Sequence, residues 1–257
     1  MDFRLSEEQQ LFRDSIRRWV DAECTKEWCR DLERREHEYP QELWDRLAAE
    51  GYHGVGIPEE YGGLGGDIIM QSIFMREFAR NAAGLAWIWG ITSISGAKSI
   101  GFYSSEAQKQ RFLPEMAAGR LRAAMSFTEP GGGTDLLGAL KTSARKVDGG
   151  WVLNGEKIWS TTANTADYLL VMARTSAQVK RRHEGVSLFF VPRESGGVTI
   201  TAFLDAGLIQ RIILTRIPVL LGAGIPLFGA LRRDIPLRHL DTRAFPSGLV
   251  QSTYDVG

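Results

Sequence analysis

Met125-Ser126-Phe127-Thr128-Glu129-Pro130-Gly131-Gly132-Gly133-Thr134-Asp135 is the stretch on which the fold turns. The apolar run Ala123 to Phe127 has the length and composition of a buried strand, and it breaks at Pro130 into consecutive glycines. Glycine lets a backbone turn with φ > 0 and brings its N–H groups close to a ligand. Thr134 and Asp135 then add short polar groups. A strand ending in such a loop is either a phosphate or cofactor cradle or an ordinary strand-to-turn junction, and composition leaves both open.

A second stretch bears on that choice. Gly155-Glu156-Lys157-Ile158-Trp159-Ser160-Thr161-Thr162 follows a hairpin signal at Asp148-Gly149-Gly150. Read as a strand, it places Trp159 and Thr161 on one face. A flat aromatic beside a hydroxyl donor suits the face and heteroatom edge of a planar ring, whereas Trp159 taken alone reads as core packing.

Together the two stretches resemble the acyl-CoA dehydrogenase family. The family pattern x-T-E-P-x-A-G-S-D corresponds to Phe127 to Asp135, and N-G-x-K-x-W-I-T to Asn154 to Thr161. The resemblance runs from Met1 to about Ala202 and includes Gln110-Arg111-Phe112-Leu113-Pro114-Glu115-Met116-Ala117-Ala118-Gly119. Two departures from the pattern matter. Thr134 stands in place of serine, and Ser160 where isoleucine or valine is common.

Composition sets outer bounds. The 257 residues allow one or two domains, and 44% apolar residues supply a core. A formal net charge of +0 gives no broad attraction to nucleic acid or to an anionic membrane. Cys24 and Cys29 sit in a charged helical stretch without metal-ligand companions and suit a reducing compartment. The start Met1-Asp2-Phe3 has no positive, apolar signal segment, so a cytoplasmic product is expected. The run Ile212 to Phe228 is interrupted by Arg216 and Pro218 and reads as strands rather than a membrane span.

Taken in order, Ser6 with Gln9 forms a capping box before the apolar positions Phe12, Ile16, Trp19 and Val20. Pro40 starts another helix, with Leu43, Trp44 and Leu47 inward and Gly51 as its stop. Gly51 to Gly66 is a glycine-rich loop; its Gly54-Val55-Gly56 lacks the strand-then-helix context of a dinucleotide site. A helix from Ile68 to Arg80 buries Ile69, Ile73 and Phe74, and a central helix follows from Ala86 to Ile100. Trp87 and Trp89 read as core, although the resemblance places this region near the acyl-chain tunnel. Ser105 caps a helix that Pro114 should kink or shorten.

After Gly119 the periodicity becomes that of strands: Lys141 to Val147, Trp151 to Ile158, Tyr168 to Ala173, Val186 to Val191 and Val198 to Phe203. Lys180-Arg181-Arg182-His183 reads as a solvated hairpin tip, with contact to a nucleotide phosphate as the alternative. The expected fold class is α+β. An all-α helical domain (1–120) precedes a β-barrel-like domain holding the flavin cradle (121–203) and a short β-rich tail (204–257), and the C-terminal helical domain of the family is missing. The tail resembles a different family, the dihydrofolate-reductase-like domain of bacterial riboflavin-pathway reductases. That likeness rests on Pro218 to Gly229 and Phe245 to Tyr254. Strands are expected at Ile212–Leu214, Val219–Leu221, Leu237–Thr242 and Leu249–Tyr254.

The main resemblance implies FAD as cofactor and α,β-dehydrogenation of an acyl-CoA thioester. It implies that Met125, Phe127, Thr128, Gly133 and Thr134 line the flavin and its pyrophosphate, with Thr134 also at the substrate. Trp159, Ser160 and Thr161 would lie against the isoalloxazine. The family's glutamate base lies in its C-terminal domain, so no catalytic residue is assigned; Glu129 is read as part of the turn, and no metal is expected. Family members form homo-oligomers, but through the domain missing here. Three readings follow: an incomplete flavin-dependent acyl-CoA oxidoreductase, a non-catalytic FAD- or acyl-CoA-binding remnant or interaction protein, and a pyridine-nucleotide reductase suggested by the tail.

Overall fold

The computed structural model describes residues 4–35, 39–201, 211–216 and 234–256. They fall into two compact units, Met1–Val198 and Thr199–Gly257.

The first unit opens with α1 (Glu7–Glu23), α2 (Lys26–Arg35) and α3 (Gln41–Ala49). Ser6 caps α1 as its sequence announces: Gln9 N–H donates to Ser6 Oγ at 3.2 Å, and Ser6 N–H to Gln9 Oε1 at 3.0 Å. The helix α4 (Ile68–Ala79) is held to α1 by Glu77, whose fully buried carboxylate accepts from Arg17 at 2.9 and 3.1 Å and from Arg76 at 3.0 Å. Ile16, Val20, Leu43, Leu47, Phe74, Phe78 and Trp89 form the core of these helices. Both cysteine thiols lie in this core, and burial pushes Cys24 up to about 12 and Cys29 up to about 11, so neither is a nucleophile at neutral pH.

The 51–66 loop folds tightly around Gly56. Its φ is +84, and a Cβ there would lie 2.1 Å from Gln71 Nε2, so only glycine fits. The central apolar stretch is not one α-helix. It comprises α5 (Ala83–Gly90), a π-helical turn (Ile91–Gly96) and α6 (Ala97–Tyr103). Two burial expectations fail on these helices: Ile69 is 45% exposed and Trp87 59% exposed, while Trp89 is fully buried. Ser105 caps α7 (Glu106–Ala117), which continues through Pro114. Proline costs a helix one N–H, and here the loss falls within the last turn.

The sheet of this unit contains β1 (Ala123–Ser126), β2 (Ser143–Val147), β3 (Gly150–Asn154), β4 (Tyr168–Arg174) and β5 (Val186–Pro192), with a short helix α8 (Leu136–Ala139) after β1. β5 pairs antiparallel along all of β4. On the opposite edge of β4, β1 pairs parallel with residues 168–171 and β2 joins at Arg174. β3 is the antiparallel hairpin partner of β2. Among the described residues β3 and β5 do not pair, so the sheet is open and mixed rather than the barrel-like domain expected. What joins β3 to β5 is a side-chain contact, Trp151 with Phe189, 5.5 Å between ring centroids, across a groove of about 1050 Å³. The sheet seats on the helices through Ile100, Phe112, Leu113 and Met116 packed with Ala123, Tyr168 and Phe190.

The strand expected from Val198 to Phe203 is not formed over 198–201, and 202–203 lie outside the described residues. The second unit contains β6 (Arg211–Arg216), β7 (Leu237–Ala244) and β8 (Val250–Val256), antiparallel in the order β6-β8-β7 with an irregularity between His239 and Asp241. The expected strand Val219–Leu221, and the Pro218 to Gly229 piece of the tail resemblance, lie outside the described residues. No helix among the described residues is long and apolar enough to cross a membrane, and no cluster of metal-ligating side chains is found among them.

Candidate cofactor site

The two stretches singled out in the sequence meet in space. At the end of β1, Ile158 N–H donates to Thr128 C=O at 2.9 Å, and Lys157 Nζ donates to Phe127 C=O at 3.2 Å. Lys157 also reaches Glu129 Oε1 at 2.8 Å, with both side chains largely buried. The Glu129 carboxylate accepts two further bonds, from the amides of Lys141 at 2.7 Å and Thr142 at 2.9 Å. Burial alone would raise this carboxyl. The Lys157 ammonium and the amides outweigh it and hold the group at about 2. Glu129 is therefore ionised at neutral pH and staples three segments of chain, accepting bonds from Lys141, Thr142 and Lys157.

Around this staple the expected cofactor residues divide by exposure. Met125, Phe127, Thr128, Gly133 and Ser160 are partly buried, while Thr134, Trp159 and Thr161 are exposed, Trp159 at 68%. Gly133 packs on Thr128: a Cβ there would lie 3.0 Å from Thr128 Cγ2. A Cβ on Gly131 would meet nothing within 4 Å, so that glycine faces open space. Asp135 accepts from Gly138 N–H at 3.0 Å and caps α8, and Arg182 of the basic tip lies 3.3 Å from its carboxylate. The tip is exposed, as a solvated hairpin end would be.

The 155–162 stretch is not a strand, which corrects the reading that placed Trp159 and Thr161 on one strand face. Residues 161–165 form turns, and Trp159 and Thr162 carry φ of 59 and 62. They are the two non-glycine residues with positive φ among those described. Such conformations cost roughly 1–3 kcal/mol each and concentrate at ligand sites. The Ser160 hydroxyl is buried without a partner, a donor and acceptor held ready beside an exposed aromatic ring. Residue types flag the strand, the glycines, Trp159 and Thr161, and the family resemblance adds Ser160. Lys157 and the 141–142 amides were missed, although opposite charges in the two motifs, Glu129 and Lys157, were a visible signal.

A helical layer feeding an open mixed sheet, with a glycine loop and an aromatic turn of positive φ joined at the end of its first strand, defines an α+β protein. Residues 6–120 match the acyl-CoA dehydrogenase N-terminal domain and residues 124–211 the acyl-CoA dehydrogenase middle domain. Together these matches cover most of the chain, which belongs to the acyl-CoA dehydrogenase family.

The chain is 34% identical over 190 residues to the mitochondrial long-chain specific acyl-CoA dehydrogenase of Sus scrofa, covering 72% of this chain and 42% of that protein. It is similar in fold to the acyl-CoA dehydrogenase of Geobacillus kaustophilus, with a TM-score of 0.66 and 24% identity over 100% of this chain and 57% of the other. It also resembles a glutaryl-CoA dehydrogenase from Mycobacterium smegmatis in complex with FADH2, with a TM-score of 0.64 and 21% identity over 98% of this chain and 53% of the other. These structures establish likeness of fold alone. The chain spans about half the length of the proteins it matches.

Proposed function

We propose that this chain is the FAD-cradling part of an oxidoreductase acting on the CH–CH bond of acyl-CoA thioesters, weakly active or inactive by itself. The observation that carries this is the Glu129–Lys157 staple, which joins the glycine loop to the Trp159 turn and leaves the buried Ser160 hydroxyl without a protein partner. In this reading residues 1–120 are the helical domain, 121–203 the flavin-cradling sheet domain, and 204–257 a partial dihydrofolate-reductase-like tail.

The residues fit a flavin. Met125, Phe127 and Thr128 offer a strand end, Gly133 and Thr134 a phosphate-sized turn, and Trp159, Ser160 and Thr161 an aromatic wall with two hydroxyls. Bound FAD would supply the hydride acceptor. The protein's own part is to bind and orient. The Ser160 and Thr161 hydroxyls would supply hydrogen-bond donors to a ring that gains charge on reduction. The Trp159 indole, exposed in this structure, would cover one side of the ring. Thr134, exposed beyond the glycines, would touch substrate as well. The substrate reading, an acyl-CoA thioester, rests on family membership.

A second reading, a non-catalytic FAD- or acyl-CoA-binding remnant, is favoured by one observation: the carboxylate in the cradle, Glu129, is held by Lys157 and two amides and does not serve as a base. The tail keeps a third reading, a pyridine-nucleotide reductase, in view. Titration of the purified protein with FAD separates these. Saturable quenching of flavin fluorescence, lost in Trp159→Ala, is expected. Absence of any FAD binding would overturn the flavin reading, and saturable NADPH binding in its place would favour the third.

A further inference from the structure

Thr92 sits within the π-helical turn and is 2% exposed. Its Oγ1 accepts from Ala123 N–H at 3.0 Å and donates to Ala123 C=O at 3.3 Å. One hydroxyl thus satisfies both main-chain groups on one edge of the first residue of β1, as a neighbouring strand would. The opposite edge of β1 belongs to β4, where Tyr168 N–H donates to Arg122 C=O at 3.1 Å. Main-chain groups alternate sides along a strand, so residues 123, 125 and 127 present theirs to the Thr92 edge. On that same edge, at the far end, Phe127 C=O accepts from Lys157. Thr92 and Lys157 therefore hold one edge of the cradle strand at its two ends, with Met125 between them.

The turn is shaped for this contact. A Cβ on Gly96 would lie 3.1 Å from the Ala123 Cβ and 3.0 Å from Met116 Cε, so glycine lets the turn press on the start of β1. Gln71 anchors the turn from behind, donating to Ser93 C=O at 3.3 Å and to Val55 C=O at 3.0 Å. Single π-turns within helices recur at functional sites, where they redirect one side chain.

We infer that Thr92 is a positioning residue for the flavin cradle: its hydroxyl sets the start of β1 so that Met125, Phe127 and Thr128 meet the ring at the other end. This rests on the flavin reading above. Thr92→Val keeps the shape and removes both hydrogen bonds; Thr92→Ser keeps the hydroxyl. Three measurements on the full chain apply: amide exchange over 123–127 without flavin, affinity for FAD, and the visible circular dichroism of bound FAD.

Thr92→Val should exchange faster over 123–127, bind FAD about tenfold more weakly, and alter the dichroism of bound FAD, with Thr92→Ser close to the parent. Should Thr92→Val fail to fold, Thr92→Ala takes its place with the same expectation. Parent-like exchange and FAD affinity in the hydroxyl-free variant, or a Thr92→Ser variant as impaired as Thr92→Val, would overturn the assignment. If the parent chain itself binds no FAD, the flavin reading fails, and the flavin-free exchange comparison still decides whether Thr92 holds β1.

Discussion

At the scale of single residues, Glu129 and His53 both contribute to the response to acid, alongside Glu42, Glu77, Glu106 and Glu115, which are also held below the ordinary carboxyl value. His53 is fully buried, and burial pulls its imidazole down to about 4 against an ordinary 6.5. Its Nε2 donates to Trp44 C=O at 3.0 Å, and Nδ1 has no partner, so a second ring proton would find no acceptor. Both groups have folded values below their unfolded ones. Each therefore contributes stability that is present above the ordinary value and lost as pH falls through the folded one. For His53 that window runs from 6.5 down to about 4, and for Glu129 from 4.5 down to about 2. Urea melts against pH should show a two-stage loss, and His53→Gln should flatten the upper stage only. Glu129→Gln leaves Lys157 buried without its counter-charge and should cost about 3–5 kcal/mol. Adding Lys157→Met to it should recover part of that loss, which a double-mutant cycle measures. Trp159→Ala should weaken FAD binding by about 1–3 kcal/mol. Because Trp159 is 68% exposed, flavin-free stability should stay within about 0.5 kcal/mol. A flavin titration alongside a flavin-free melt tests both halves.

At the scale of elements, the sequence was legible where the signal is local. Ser6 with Gln9 and Ser105 with Gln108 announced α1 and α7, and both capping boxes form. Ser6→Ala and Ser105→Ala should each cost about 1 kcal/mol in thermal or urea unfolding, with no effect on flavin binding. Strands β2 to β5 were visible from alternating or apolar runs bounded by turns. What was not legible depends on neighbours distant in sequence. The π-turn, Ile91-Thr92-Ser93-Ile94-Ser95-Gly96, carries no periodicity that separates α from π, and the groups bonded to it, Ala123 and Gln71, are distant in sequence. Openness of the sheet depends on which edge of β4 each strand takes, and side-chain patterns do not encode that. The Trp159 turn was mistaken for a strand because Ile158, Trp159 and Thr161 are good strand formers. Local propensity yields here to the bonds that Lys157 and Ile158 make to β1. Likewise Trp87 and Ile69 were apolar in helical register and still exposed: periodicity says which residues share a face, not whether anything covers it.

At the scale of the whole molecule, the two units differ in what they bury. The first has continuous clusters of fully buried side chains, whereas in the second none of the residues whose burial is described is buried. A three-stranded sheet whose described residues form no buried cluster is marginal in water, so residues 199–257 expressed alone should show no cooperative melting, by calorimetry or circular dichroism.

The last expectation concerns chemistry. The α proton of a thioester is weakly acidic, so dehydrogenation needs a base placed as the hydride departs. Such a base contributes about 10²–10⁴-fold, and correct placement of flavin against substrate can contribute roughly 7–11 kcal/mol. Within the cradle, Glu129 is occupied by Lys157 and two amides and held at about 2, too weak a base for the task. The chain also matches only 42% of its long-chain relative, so much of the surface that would orient both reactants there has no counterpart in the match. Anaerobic mixing of FAD-loaded protein with short-, medium- and long-chain acyl-CoA should therefore leave the flavin oxidised on the timescale of turnover. Rapid bleaching by any of them would show that a base other than Glu129 reaches the substrate, and the weakly-active clause of the proposed function would have to be abandoned.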